Sequence, residues 1–114
     1  PLDSLILRLQ EQYPNDRGVF TPLLLNYLQL HPGDAFFMGP NELHAYLSGD
    51  CVECMALSDN TVRAGLTPKF VDVDTLCSML SYQPKDSSTL MLHPQKLDNC
   101  ATLYRYYYHE FFIK

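Results

Sequence analysis

The residues able to do chemistry crowd into one stretch. Between Pro40 and Lys69 stand Glu42, His44, Tyr46, Asp50, Glu53, Asp59, Asn60, Arg63 and Lys69, set among apolar residues. If residues 43–47 form a strand, side chains alternate across it, and His44 and Tyr46 share one face. Cys51 and Glu53 share a face of the next strand by the same rule. A neutral imidazole flanked by carboxylates suits zinc or another borderline metal. One histidine alone makes a poor site, because structural zinc takes about four protein ligands and catalytic zinc about three.

Arg63 is permanently charged. It reads either as a surface cation in a salt bridge or as a guanidinium that stabilises developing oxyanion charge. Lys69 follows Thr67-Pro68 and reads either as a solvated lysine or as a point charge for phosphate. Cys51-Val52-Glu53-Cys54 has the C-x-x-C spacing. On a strand its two thiols point to opposite faces, no second such pair exists, and no helix follows as a thioredoxin-like site requires. His31, His93 and His109 lack a partner pattern and are expected on the surface.

Several elements must position these groups. Leu2, Leu5, Ile6 and Leu9 recur at helical spacing, Asp3 and Ser4 are candidate caps, and Pro14 is a stop, so residues 2–13 are expected to form an amphipathic helix. From Gly18 the texture changes to short apolar runs broken by turns. Residues 22–30 (PLLLNYLQL), 35–38, 43–47 and 51–57 are expected to be strands. The turns between them are His31-Pro32-Gly33-Asp34, Gly39-Pro40-Asn41 and Ser48-Gly49-Asp50. Short strands at this spacing suggest an antiparallel sandwich or jelly roll. Residues 58–69 read as a loop, 73–80 as a helix capped by Asp72 or Asp74, and 83–100 as a linker containing Pro84 and Pro94. The aromatic tail, 103–113, has strand character but no partner after it.

Composition narrows the function classes. A chain of 114 residues builds one core. With 46% hydrophobic and 18% charged residues, the composition argues against intrinsic disorder. A net charge of -5 argues against a general nucleic-acid or anionic-membrane binder. It leaves room for a small anion held by one or two placed cations. No apolar run approaches the roughly 18–20 residues that span a membrane. Four cysteines are too few for a dense disulfide framework, and no basic-then-apolar leader is visible, so a reducing, cytoplasmic setting is the expectation.

The run NELHAYLSGDCVECMALSDNTVRAGLTPK, residues 41–69, closely resembles the signature of the type I, zinc-dependent mannose-6-phosphate isomerases, also called phosphomannose isomerases. The flanking strings GVFTPLLLNYLQLHPGDAFFMG and KFVDVDTLCSML resemble the same family, so the likeness covers residues 1 to 82 well and the remainder loosely. The resemblance implies a cupin-type jelly roll with an inserted helical domain and a second jelly roll. On that reading residues 1–18 end the helical insertion and 19–71 form the C-terminal half of the catalytic jelly roll. Residues 72–82 then form a short helix, and 83–114 a linker and the start of the second jelly roll. The fold class expected is mainly β, with an N-terminal helix and one short helix after the motif.

The resemblance also implies an activity. The family interconverts mannose 6-phosphate and fructose 6-phosphate, toward GDP-mannose synthesis, and holds one zinc ion through Gln, His, Glu and His. His44, in the HAY motif, corresponds to the last zinc ligand, and Arg63, in the VRAG motif, to the catalytic arginine. Tyr46, Glu53, Asp59 and Lys69 correspond to residues lining the same pocket. Isomerisation moves a proton between C1 and C2 through an enediol(ate), and a preorganised donor such as Arg63 stabilises the developing charge by about 3–4 kcal/mol. Glu53 is the candidate for proton shuttling, beside a lysine from elsewhere in the family's chain. Lys69 is suited to the substrate phosphate. The partner implied is a small-molecule sugar phosphate, with no nucleic acid, no membrane and a monomeric full-length protein. The family's Gln-x-His pair and zinc-binding Glu lie earlier in its chain. The expectation is therefore that this chain supplies one zinc ligand of four and is inactive alone. The alternative is a non-catalytic cupin-like module that binds sugar phosphate.

Overall fold

The computed structural model describes residues 2–55, 57, 61–105 and 112–113. The chain divides into two compact units, one formed by residues 1–25 and 41–81, the other by residues 26–40 and 82–114.

The first unit is built on helix α1, Leu2–Gln12. Its apolar residues fall on one stripe, and Leu5 and Leu9 from that stripe are buried. The helix stops where Pro14 has no N–H to donate, although the Tyr13 N–H still reaches the Leu9 carbonyl at 2.8 Å. Asn15 turns the chain in the left-handed region at φ 67°, which asparagine tolerates. Asp16 then caps a 3₁₀ helix, Arg17–Leu23, by accepting from the Gly18 N–H. Val19 from this helix joins Leu5 and Leu9 in the core, with Tyr13, Leu47 and Leu66 packed around them. Later in the unit, α2 spans Val73–Met79. Asp72 is its N-cap and accepts from both the Thr75 N–H at 3.0 Å and the Thr75 hydroxyl at 2.8 Å. The Ser81 N–H donates to the Asn41 carbonyl at 2.9 Å, tying the end of the helical segment to the start of the motif.

The second unit contains the strands. β1 (Ala35–Phe36) pairs antiparallel with β2 (Met91–Leu92), in register Ala35 to Leu92 and Phe36 to Met91. β3 (Gln95–Lys96), β4 (Thr102–Arg105) and β5 (Phe112–Ile113) form a second antiparallel sheet in that order. The β3–β4 turn is closed by Asp98, whose carboxylate accepts from the Cys100 and Ala101 N–H groups. Leu103 on β4 is buried. The Tyr104 hydroxyl donates to the Gly33 carbonyl at 2.7 Å, and the Asn26 side-chain amide donates to the Lys85 carbonyl at 2.9 Å. Among the described residues no helix is long and apolar enough to cross a membrane.

This architecture overturns the mainly β, cupin-type jelly roll. A jelly roll needs eight strands in two facing sheets. The described strands are two to four residues long and form two small sheets that do not close into a barrel. Residues 22–30, expected as a strand, instead finish the 3₁₀ helix and continue without regular structure. Residues 43–47 and the described part of 51–57 form no strand either. Alternating apolar residues prepare a face for burial, but a strand persists only where a neighbour completes its ladder. Here Val52 and Leu57 remain almost fully exposed. The expected linker, 83–100, departs in the other direction and supplies β2, β3 and a 3₁₀ helix, Ser87–Leu90.

Two consequences are measurable. Leu9 is 2% exposed at the centre of a three-residue core. Leu9→Ala should cost about 2–5 kcal/mol, read as a lowered urea midpoint for loss of helical circular dichroism. The Thr75 N–H and hydroxyl hold the Asp72 carboxyl below its usual value of 3.8. A depressed carboxylate stabilises the fold above its unfolded value and loses that contribution as pH falls through the folded one. The Thr75 amide resonance should therefore shift as the cap is lost below about pH 3.8. Asp72→Asn should abolish that acid transition while retaining the cap.

Candidate functional site

The motif residues lie in the first unit, in backbone with little regular structure. His44 is exposed, and its Nδ1 lies 2.8 Å from the Glu42 carbonyl oxygen. A carbonyl only accepts, so Nδ1 is the donor in this contact, and Nε2 is the ring nitrogen left for a ligand. Tyr46 lies beside it, with ring centroids 5.8 Å apart and planes inclined by 63°. Sequence alternation placed these two rings on one strand face; the structure brings them together without a strand.

The Tyr46 hydroxyl donates to Glu53 Oε1 at 2.9 Å. Partial desolvation of the phenol, then the hydrogen bond to Glu53, then the nearby charges of Glu53 and Cys51, push the Tyr46 hydroxyl up to about 12. The phenol is thus held neutral as a donor, and its proton is committed to the Glu53 carboxylate. Cys51 and Cys54 are exposed thiols not joined in a disulfide.

A cavity of about 240 Å³ opens in the same unit, lined by His44, Thr21, Arg17, Gly65 and Leu66 among others. It is smaller than the ~300–1,000 Å³ typical of ligand pockets. Arg63 is exposed, and the three residues that follow it, Ala64, Gly65 and Leu66, line the cavity. Lys69 is also exposed, and its N–H donates to the Thr67 hydroxyl at 3.1 Å. Asp59 lies outside the described residues. Thus His44 and the segment after Arg63 meet at one cavity, while Tyr46 and Glu53 form a pair through their own hydrogen bond.

The segment carrying Arg63 and Lys69 is held in an unusual conformation. Leu66 sits at φ 53°, which costs a residue with a Cβ about 1–2 kcal/mol. Leu66 is held there by packing on the core and by its neighbour, since the Thr67 N–H donates to Asp16 Oδ2 at 3.2 Å. The backbone at Gly65 passes so close to Gly18 that a Cβ on Gly18 would lie 2.9 Å from the Leu66 nitrogen and 3.2 Å from the Gly65 Cα. Gly18 thus requires glycine by proximity, and a Cβ at Gly65 would sit tightly at 3.1 Å from the Gly18 Cα.

Arg17, Thr21 and Asp16 are site-forming residues that the motif region does not contain. Their signal is Pro14-Asn15-Asp16-Arg17-Gly18, a helix stop followed by a capping aspartate and a glycine. The expectation of one zinc ligand in four took no Gln-x-His to be present, yet Gln29-Leu30-His31 has that spacing. It lies in the second unit, where exposed His31 packs its Nδ1 3.5 Å from Asp34 Oδ2 in a turn. Among the described residues no three His, Cys, Asp or Glu side chains gather to hold a metal. The donors among the described residues do not fit a complete zinc site; His44 would be a single donor of the three or four required.

Comparison with known proteins gives concordant matches. Residues 1–25, which contain α1 and the 3₁₀ helix, match the family described as phosphomannose isomerase type I, helical insertion domain. The chain is 60% identical over 93 residues to the mannose-6-phosphate isomerase of Homo sapiens, covering 82% of this chain and 22% of that protein. It is 57% identical over 106 residues to a probable mannose-6-phosphate isomerase of Dictyostelium discoideum, covering 93% and 23%. A probable mannose-6-phosphate isomerase of Caenorhabditis elegans is 54% identical over 104 residues, covering 90% and 24%. The chain spans less than a quarter of the length of these curated relatives. No solved structure gives a significant match.

The Tyr46–Glu53 pair has a direct test. With Glu53→Gln the charge and its repulsion of the phenolate disappear while the partial desolvation stays, so the Tyr46 hydroxyl should titrate below about 12 but still above its usual 10.0. Ring-carbon NMR across alkaline pH reads this shift.

Proposed function

This chain belongs to the type I mannose-6-phosphate isomerase family, and from that premise we propose that it serves the interconversion of mannose 6-phosphate and fructose 6-phosphate. One observation carries the reading, the 60% identity over 93 of its residues to an isomerase of that name. A continuous match of that length in this chain necessarily includes the run from His44 to Lys69. The whole protein's activity and substrate rest on this likeness.

In this reading each motif residue has one task. Arg63 stabilises the negative charge that develops on the sugar oxygens as the C–H proton leaves. Glu53 carries the proton between C1 and C2, and Tyr46 fixes that carboxylate by donating to it. Lys69 pairs with the substrate phosphate, and Asp59 belongs to the same substrate pocket. His44 would offer Nε2 to zinc, and the metal would supply Lewis-acid polarisation of the sugar oxygens. Because the described residues supply only that one ligand, no step of the mechanism is routed through the metal. A second reading, a sugar-phosphate-binding module without turnover, is favoured by the same shortage of metal donors.

A coupled assay with added Zn²⁺ separates them. The 114-residue chain is expected to show no turnover, and the longest protein made from its gene is expected to isomerise mannose 6-phosphate. In that protein Arg63→Ala should lower kcat/KM about 10²–10³-fold, the loss typical of removing one oxyanion donor. Turnover by the short chain that a chelator abolishes would overturn the assignment of the remaining zinc ligands elsewhere. Absence of turnover in the longest protein would favour the binding module.

A further inference from the structure

We propose that Asp16 is a positioning residue that sets where Arg63 and Lys69 are presented. The proposal builds on the functional reading of those two cations, but its structural half stands on geometry alone.

Residues 61–69 contain no helix or strand, and Arg63 and Lys69 are exposed. Such a segment has no ladder to fix its path, so its order must come from ties to something rigid. The rigid partner is the turn after α1. The two oxygens of Asp16 divide the work. Oδ1 accepts from the Gly18 N–H at 2.7 Å and caps the 3₁₀ helix, whereas Oδ2 accepts from the Thr67 N–H at 3.2 Å, across 51 positions of sequence. Thr67 passes the restraint onward, because its hydroxyl accepts from the Lys69 N–H at 3.1 Å. On its other side Leu66 is held at φ 53°, and Gly65 touches the Gly18 backbone. The strained residue therefore sits between a close backbone contact and the Asp16 tie, where release of either lets the segment relax.

A cap alone would need one carboxylate oxygen. The second oxygen, spent on Thr67, is what distinguishes positioning from capping, and one substitution separates the two roles. In Asp16→Asn the side-chain oxygen can still accept from Gly18, but its NH₂ is a donor and cannot accept from the Thr67 N–H. Gly18→Ala acts from the other side, since its Cβ would press on the backbone of Gly65 and Leu66.

Amide hydrogen exchange followed by NMR on the labelled chain tests the structural half. In Asp16→Asn the Thr67 and Lys69 amides should exchange at least about tenfold faster, while the amides of α1 and of Val19 keep their wild-type rates. Gly18→Ala should accelerate the same segment. Unchanged exchange at Thr67 in Asp16→Asn, with the 3₁₀ helix intact, would overturn the inference whatever the chain binds. The second arm measures mannose 6-phosphate affinity in the longest protein made from the gene. Asp16→Asn should weaken it about three- to tenfold, in the direction of Lys69→Ala. If Lys69→Ala weakens binding and Asp16→Asn loosens the segment without any loss of affinity, the positioning role is refuted. If the wild-type protein has no affinity for mannose 6-phosphate, the functional reading fails, and the exchange arm alone decides the role of Asp16.

Discussion

The carboxylate of Asp16 is the interaction on which the first unit depends. It starts the 3₁₀ helix after α1 and fastens a segment 51 positions away, both through hydrogen bonds from backbone N–H groups. An ionised carboxylate accepting from backbone donors makes stronger bonds than neutral pairs do. A backbone donor also cannot be displaced by side-chain rotation. That combination suits a unit whose irregular motif region must be held in one path without a sheet beneath it. The glycines at 18 and 65 complete the arrangement, since a Cβ on Gly18 would lie 2.9 Å from the Leu66 nitrogen where the two backbones pass.

The apolar core beside this tie is small. Leu5, Leu9 and Val19 are buried in the first unit, and Leu103 is the buried apolar residue described in the second. Leu24, Val52, Leu57 and Phe70 are all more than four-fifths exposed. Local polar devices therefore carry much of the order in the described chain. Asp72 caps α2, Asp86 caps the 3₁₀ helix Ser87–Leu90, and Asp98 closes the turn before β4. Each uses a short acidic side chain to satisfy N–H groups that the backbone leaves unpaired at the start of a helix or in a turn. The Asp86 carboxyl is held below its usual value by the Ser88 N–H, as Asp72 is by Thr75.

The chemistry-bearing groups are arranged as pairs. His44 is oriented by a backbone carbonyl, which leaves Nε2 as its ligand atom. Tyr46 and Glu53 orient each other through one hydrogen bond, and partial desolvation together with that bond raises the phenol to about 12. Arg63 and Lys69 ride on a segment whose conformation is set by Thr67 and Asp16. In each case a side chain proposed to act is held by a neighbouring hydrogen-bonding group, which is how a site gains precision from flexible side chains.

Local signals in the sequence determined the local structure. The leucine spacing at 2, 5 and 9 with Pro14 beyond it specifies α1, and Asp72 before an apolar run specifies the start of α2, because helix periodicity and capping act within a few residues. The family is likewise legible from residues 41–69, since its motif is a continuous string. Strand formation was legible in part, since the expected strand at residues 35–38 contains β1, Ala35–Phe36. Residues 22–30, 43–47 and 51–57 carry apolar runs broken by turns, yet whether they become strands depends on partners elsewhere in the chain, and the described structure gives them none. The expected linker became strands for the converse reason: residues 91–92 found a partner in residues 35–36. Only the tertiary structure brought His44 to the cavity beside Gly65, bonded Tyr46 to Glu53, and joined Asp16 to Thr67. These contacts join residues separated by turns whose geometry no local pattern encodes, and the chain path alone sets their distances.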